Sequence, residues 1–147
     1  MATLFAPIFD APTHIQQLTN LADDRIGAEI IDCSDDFFAE AKRMLQFNPP
    51  VFVEDKFDDH GKWMDGWETR RKRHAGYDWA IIKLGVAGKI KALDIDTTFF
   101  TGNYPASAAV EACYAPDGEL SHIEWQNILK NKLLGPSDHH IFNIDTE

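Results

Sequence analysis

An antiparallel β-sandwich is the fold class this sequence predicts, and three observations predict it. Short apolar stretches with strand-like alternation recur along the 147 residues. Turn formers separate them, as at Asn48-Pro49-Pro50 and Ala115-Pro116-Asp117-Gly118. Only two segments carry helical signals, and both are weak. The length suits one ordinary domain, and 44% hydrophobic against 26% charged residues fits a globular core and argues against disorder.

Residues 1–33 hold turn formers and one short strand, Ala28 to Ile31. Ser34-Asp35-Asp36 reads as a helix start, with Ser34 as cap and two aspartates at the positive end of the dipole. Phe37, Phe38, Ala41, Met44 and Leu45 then recur at spacings of three and four, giving one apolar stripe that Asn48-Pro49-Pro50 ends. Val51 to Glu54 is a short strand, and Asp78 to Leu84 another, bounded by Gly85 and Gly88. In the segment Ile90 to Phe99, Leu93, Ile95 and Thr97 point one way and Asp94, Asp96 and Thr98 the other. Ala108 to Tyr114 alternates in the same manner. Ser121-x-x-Glu124 has capping-box form and predicts a short helix over Trp125 to Leu133, stopped by Gly135-Pro136. His140 to Ile144 is the last strand. There is no internal repeat, low-complexity segment or linker.

Charge narrows the function. The formal net charge of −10 argues against nucleic acid or an anionic membrane as partner. No apolar run approaches the roughly 20 residues of a membrane helix. Met1 to Pro7 shows no basic leader and no signal core, and Cys33 and Cys113 lack metal-ligand spacing, so a cytoplasmic protein with reduced thiols is expected. Against this acidic background, Lys62, Arg70, Arg71, Lys72 and Arg73 place five of the fourteen cations in the thirteen residues from Gly61 to Arg73. Trp63, Trp67, Asp65 and Glu68 are interleaved with them. A basic, aromatic island on an acidic body reads as a place that holds an anion.

The string Gly61-Lys-Trp-Met-Asp-Gly-Trp-Glu-Thr-Arg-Arg-Lys-Arg73 also carries a resemblance. With Asp78-Trp79, Ile81-Ile82-Lys83-Leu84-Gly85 and Asp94-Ile-Asp-Thr-Thr-Phe-Phe-Thr-Gly-Asn103-Tyr-Pro, it resembles the allantoicase family. Thr19-Asn20-Leu21-Ala22 and Ser34-Asp35-Asp36-Phe37-Phe38-Ala39 agree with it. The resemblance implies a jelly-roll β-sandwich, similar to galactose-binding domains, with one or two short helices. It implies hydrolysis of allantoate to ureidoglycolate and urea in purine breakdown, and assembly into homo-oligomers. Family members carry two such repeats, and the Lys-Trp-Met-Asp-Gly form resembles the first. Residues 1–147 are therefore expected to be one repeat, the N-terminal half of a two-repeat enzyme, with an exposed sheet edge that recruits a partner. The alternatives are a non-catalytic jelly-roll binding module and an inactive single-repeat fragment.

Allantoate is a carboxylate whose α-carbon carries two ureido groups, so a site needs a cation, polar partners for the ureido arms and a proton donor for the departing nitrogen. Arg70 and Arg71 suit the carboxylate because a planar guanidinium meets it with two parallel hydrogen bonds. The competing reading is structural pairing of the arginines with Asp65, Glu68 or Asp78. Asp65 and Glu68 are the acid and base candidates, with Lys62 and Trp67 beside them as substrate contacts. Trp63 and Trp67 equally serve as packing residues. Asp96 and Thr98 share a strand face that is either solvated or lines a pocket, and Asn103 is either a turn residue or a ureido partner. His139-His140 is a poor chelate because strand neighbours face opposite ways. His60 and His74 with Asp65 or Asp78 have no diagnostic spacing for a divalent ion, and no metal site is expected from it.

Overall fold

The structure is a computed structural model that describes residues 2–144. It is mainly β, and every strand pair among the described residues is antiparallel. The chain divides into two compact units, Met1–Gly88 and Lys89–Glu147.

In the first unit, strand β1 (Thr3–Phe5) pairs with β3 (Val51–Val53), and β2 (Glu29–Cys33) pairs with β6 (Ala80–Lys83). A two-residue loop joins β4 (Phe57–Asp58) to β5 (Gly61–Lys62) as a small hairpin. The one α-helix among the described residues is the single turn Thr13–Gln16, and 3-10 turns cover Asp24–Ile26 and Ala41–Leu45. Ala28, Ala39, Ala41, Leu45 and Met64 are the buried apolar side chains here. Gly85, two residues after β6, is a position where nothing larger fits: a Cβ there would lie 2.6 Å from the Ile26 carbonyl oxygen.

In the second unit, β7 (Ala92–Asp96) pairs with β10 (His139–Asn143), and β8 (Ser107–Ala112) with β9 (Gln126–Leu133). Phe100, Leu129, Leu134 and Ile144 are its buried apolar residues. Thr97 is buried and satisfied, donating from Oγ1 to the Gly135 carbonyl at 2.8 Å.

Two expectations are corrected. Trp125 to Leu133 does not form a helix; Gln126–Leu133 is the longest described strand. Ser121 spends its N–H and hydroxyl on Glu119, at 3.0 and 2.6 Å, so the capping-box signal closes a turn instead. The ladder that this eight-residue strand forms against β8 then outweighs the weak local helical preference. The helix from Ser34 is likewise reduced to the 3-10 turn Ala41–Leu45. Phe38 and Ala39 donate their N–H groups to the Glu68 carbonyl, and Glu68 N–H returns a bond to Ala39. These residues are bridged to a distant segment, which a helix would forbid.

Candidate functional site

The cationic island is laid against the segment Ser34–Ala39, and it is attached through both backbone and side-chain groups of that segment. The Trp67 indole Nε1–H donates to the Asp35 carbonyl at 2.8 Å. The Asp35 carboxylate accepts from Phe37 N–H at 2.7 Å and from Arg70 N–H at 3.0 Å. Asp78 anchors the far end: it accepts from the Thr69 hydroxyl at 2.9 Å and the Ser34 hydroxyl at 3.0 Å, and pairs with Lys72 Nζ at 3.1 Å. Ser34 Oγ in turn accepts from Trp79 N–H. Burial pushes the Asp78 carboxyl up, but the bonds from Lys72, Thr69 and Ser34 outweigh it and hold it below its ordinary value.

These contacts settle where the charges go. Asp65 accepts from Val51 N–H at 3.0 Å and lies 3.5 Å from Arg43 Nη1. Asp78 is taken by Lys72. Neither Arg70 nor Arg71 forms a salt bridge among the described residues. The Arg70 guanidinium lies 4.0 Å over the Phe37 ring, and Arg71 is exposed on the rim of an open concavity of about 590 Å³ shared with Lys72, Arg73 and His74. Lys62 is exposed and lies over the rings of Phe52 and Phe57. Glu68 is half-buried, its backbone locked to Ala39.

Beside the island is a deeper cleft of about 390 Å³. Its wall includes Phe37, Arg43, Asp58, His60 and Trp63. Phe37 meets Phe38 edge-on at 5.1 Å, and the Arg43 guanidinium sits 5.0 Å from the Trp63 ring. Motif reading missed Asp35, Phe37 and Arg43 as site residues and weighed His60 only as a metal ligand. Asp35 and Phe37 precede the island by more than twenty residues, and only the recurrence of Ser34-Asp35-Asp36-Phe37-Phe38-Ala39 in the family pattern pointed to that segment.

The remaining candidates belong to the second unit. Asp96 Oδ1 accepts both the N–H, at 2.8 Å, and the hydroxyl of Thr98, which is buried. Asn103 is exposed in a bend. Asp94 and Asp96 share a face with His139 from the neighbouring strand: Nδ1 lies 2.7 Å from Asp94 and Nε2 3.7 Å from Asp96. His140 faces elsewhere, with Nδ1 bonded to the Ile95 carbonyl and Nε2 accepting from Gly135 N–H. Among the described residues no group of three or more His, Cys, Asp or Glu is placed to hold a metal ion. Cys33 and Cys113 are free thiols that burial pushes up, which makes them poor nucleophiles. No described helix is long and apolar enough to cross a membrane.

Fold and site together define an antiparallel β protein that sets guanidinium groups beside an aromatic-walled cleft. The family model for the allantoicase repeat matches residues 19–147. A probable allantoicase of Acinetobacter baylyi is 73% identical over the whole chain, and one of Photobacterium profundum is 53% identical over 91% of it. The chain spans 44% and 41% of the length of these two relatives. A solved allantoicase structure superposes with a TM-score of 0.72 at 34% identity, over 86% of this chain and 40% of that one. The crystal structure of the Saccharomyces cerevisiae allantoicase gives 0.71 at 34%, over 88% and 41%. The chain belongs to the allantoicase family.

Proposed function

We propose that this chain is one repeat, residues 1–147, of a two-repeat enzyme that hydrolyses allantoate to ureidoglycolate and urea, and that it corresponds to the N-terminal half. The observation that carries the reading is the state of the arginines. Asp65 is taken by Arg43 and the Val51 N–H and Asp78 by Lys72, while Arg70 lies on an aromatic face. Guanidinium charge left without an ion-pair partner beside a cleft suits an anionic ligand.

In this reading Arg70 grips the substrate carboxylate, and Lys62 and Arg71 add positive field. Trp67 serves as a rigid wall, its indole N–H already held by Asp35. Glu68 donates the proton that lets the urea nitrogen depart, and Asp65 positions Arg43. Holding the carboxylate, which is bonded to the reacting α-carbon, orients that carbon and its ureido groups for proton transfer. A cytoplasmic enzyme agrees with the two free thiols. Homo-oligomers, or pairing with the second repeat, would cover apolar side chains such as Phe5, Ile8 and Leu133, which are at least three-quarters exposed.

The test is Glu68→Gln in the two-repeat enzyme. Turnover falls by roughly 100-fold or more if the carboxyl is the proton donor, with KM little changed. Wild-type turnover in the variant removes Glu68 from the chemistry. The second reading is a binding module without turnover. Urea release from allantoate, measured on this chain and on a two-repeat chain, separates the two.

A further inference from the structure

We infer that His60 is the general base of the cleft, acting through Nε2 on an N–H of a small ureido acid. The inference rests on the hydrolase reading above and fills a role that Glu68 and Asp65 leave open. His60 sits at the tip of the β4–β5 hairpin, where its backbone N–H donates to Asp58 Oδ1 at 2.8 Å. Its ring Nδ1 lies 2.6 Å from the Phe37 carbonyl oxygen. A carbonyl oxygen only accepts, so Nδ1 must carry the hydrogen. In the neutral ring Nε2 is then a bare lone pair, and among the described residues it has no hydrogen-bond partner.

The plane of the ring is fixed as well. The imidazole stacks on Phe37 with centroids 4.1 Å apart and planes 18° apart. The Arg70 guanidinium lies 4.0 Å from the same ring centroid. Two groups that close to one aromatic ring must occupy opposite faces. Phe37 therefore sets a base and a carboxylate-binding cation at a constant spacing, and His60 itself lines the cleft. The charged groups around it are Asp36, Glu40, Arg43 and Asp58 on the cleft wall and Arg70 behind Phe37. An oriented base with a defined tautomer, in a cleft that also holds the Arg43 guanidinium and is wide enough for a small acid, is the arrangement proton abstraction needs.

The chemistry balances. Nε2 takes the N–H proton of the retained ureido nitrogen, whose electron pair forms a C=N bond to the α-carbon. The C–N bond to the other ureido group breaks with its pair going to nitrogen, and the Glu68 carboxyl protonates that nitrogen, so urea leaves neutral. Water then adds to the C=N carbon. It gives one proton to the Glu68 carboxylate while imidazolium returns its proton to the ureido nitrogen. Both side chains are restored, and the sum is allantoate plus water to ureidoglycolate plus urea.

The test is His60→Asn in the two-repeat enzyme. The asparagine amide can still donate to the Phe37 carbonyl, so the hairpin stays in place while the base is gone. The expected result is a loss of about 100-fold or more in kcat, little change in KM, partial rescue by added imidazole and loss of the acidic limb of the wild-type pH–rate profile. Nitrogen NMR of the wild type should show the Nδ1–H tautomer. An active wild type whose His60→Asn variant keeps its turnover and profile overturns the inference alone, as does an Nε2–H tautomer. A wild type that releases no urea overturns the hydrolase reading, and this inference with it.

Discussion

Asp35 holds Trp67: the indole N–H of the island donates to a backbone carbonyl thirty-two residues earlier, at 2.8 Å. The same aspartate accepts Arg70 N–H through its carboxylate, so one residue fixes the island at two points three residues apart. The Asp35 side chain is half-buried, and removing an acceptor from two N–H groups leaves both under-satisfied. Asp35→Ala should therefore cost about 2 kcal/mol, read as a lower urea midpoint with unchanged slope. An unchanged midpoint would mean the anchor contributes nothing.

Asp78 predicts an acid-dependent stability term. Burial pushes its carboxyl up, but the bonds from Lys72, Thr69 and Ser34 win, and the folded value lies below the ordinary one. A depressed carboxyl contributes stability that is present above the unfolded value, about 3.9, and is lost as pH falls through the folded value. Asp78→Asn should lower stability by about 2 kcal/mol above pH ~5 and flatten the loss on acidification. Parallel pH–stability curves for wild type and variant would contradict this.

The Asp94–His139 pair carries the opposite sign. Burial pushes the Asp94 carboxyl up; the hydrogen bond and charge of His139 pull it down and Asp96 pushes it up again, with a net rise. A raised carboxyl favours the folded state below the unfolded value, and that contribution is lost as pH rises through the folded one. His139→Phe removes the downward pull, so carbon NMR of the carboxyl should follow Asp94 to a still higher midpoint. A wild-type Asp94 titrating at or below the ordinary aspartate value would refute the assignment.

The strands were legible where alternation and turn residues coincide. Ala28 to Ile31, Val51 to Glu54 and Asp78 to Leu84 each overlap β2, β3 and β6. The Asp94 and Asp96 face was also readable, because a period of two leaves little choice. Strands β1, β4 and β5 are two or three residues long, too short to show any period. The two misread helices failed for one reason: Ser34 and Ser121 look like caps locally, but their hydroxyls bond to Asp78 and Glu119 instead. In the site, the clustering of cations is a property of the string itself. Which carboxylate each cation takes is not, since Asp65 meets Arg43 and Asp78 meets Lys72 only after folding.

The central claim is that the island's guanidinium charge is there for a small organic acid, and calorimetric titration of allantoate against wild type and Arg70→Ala tests it most directly. The account predicts one allantoate bound per site, weakened roughly 30-fold or more in the variant, about 2 kcal/mol for a charged hydrogen-bonded contact. Equal affinity in the two proteins, or no binding to either, would contradict it.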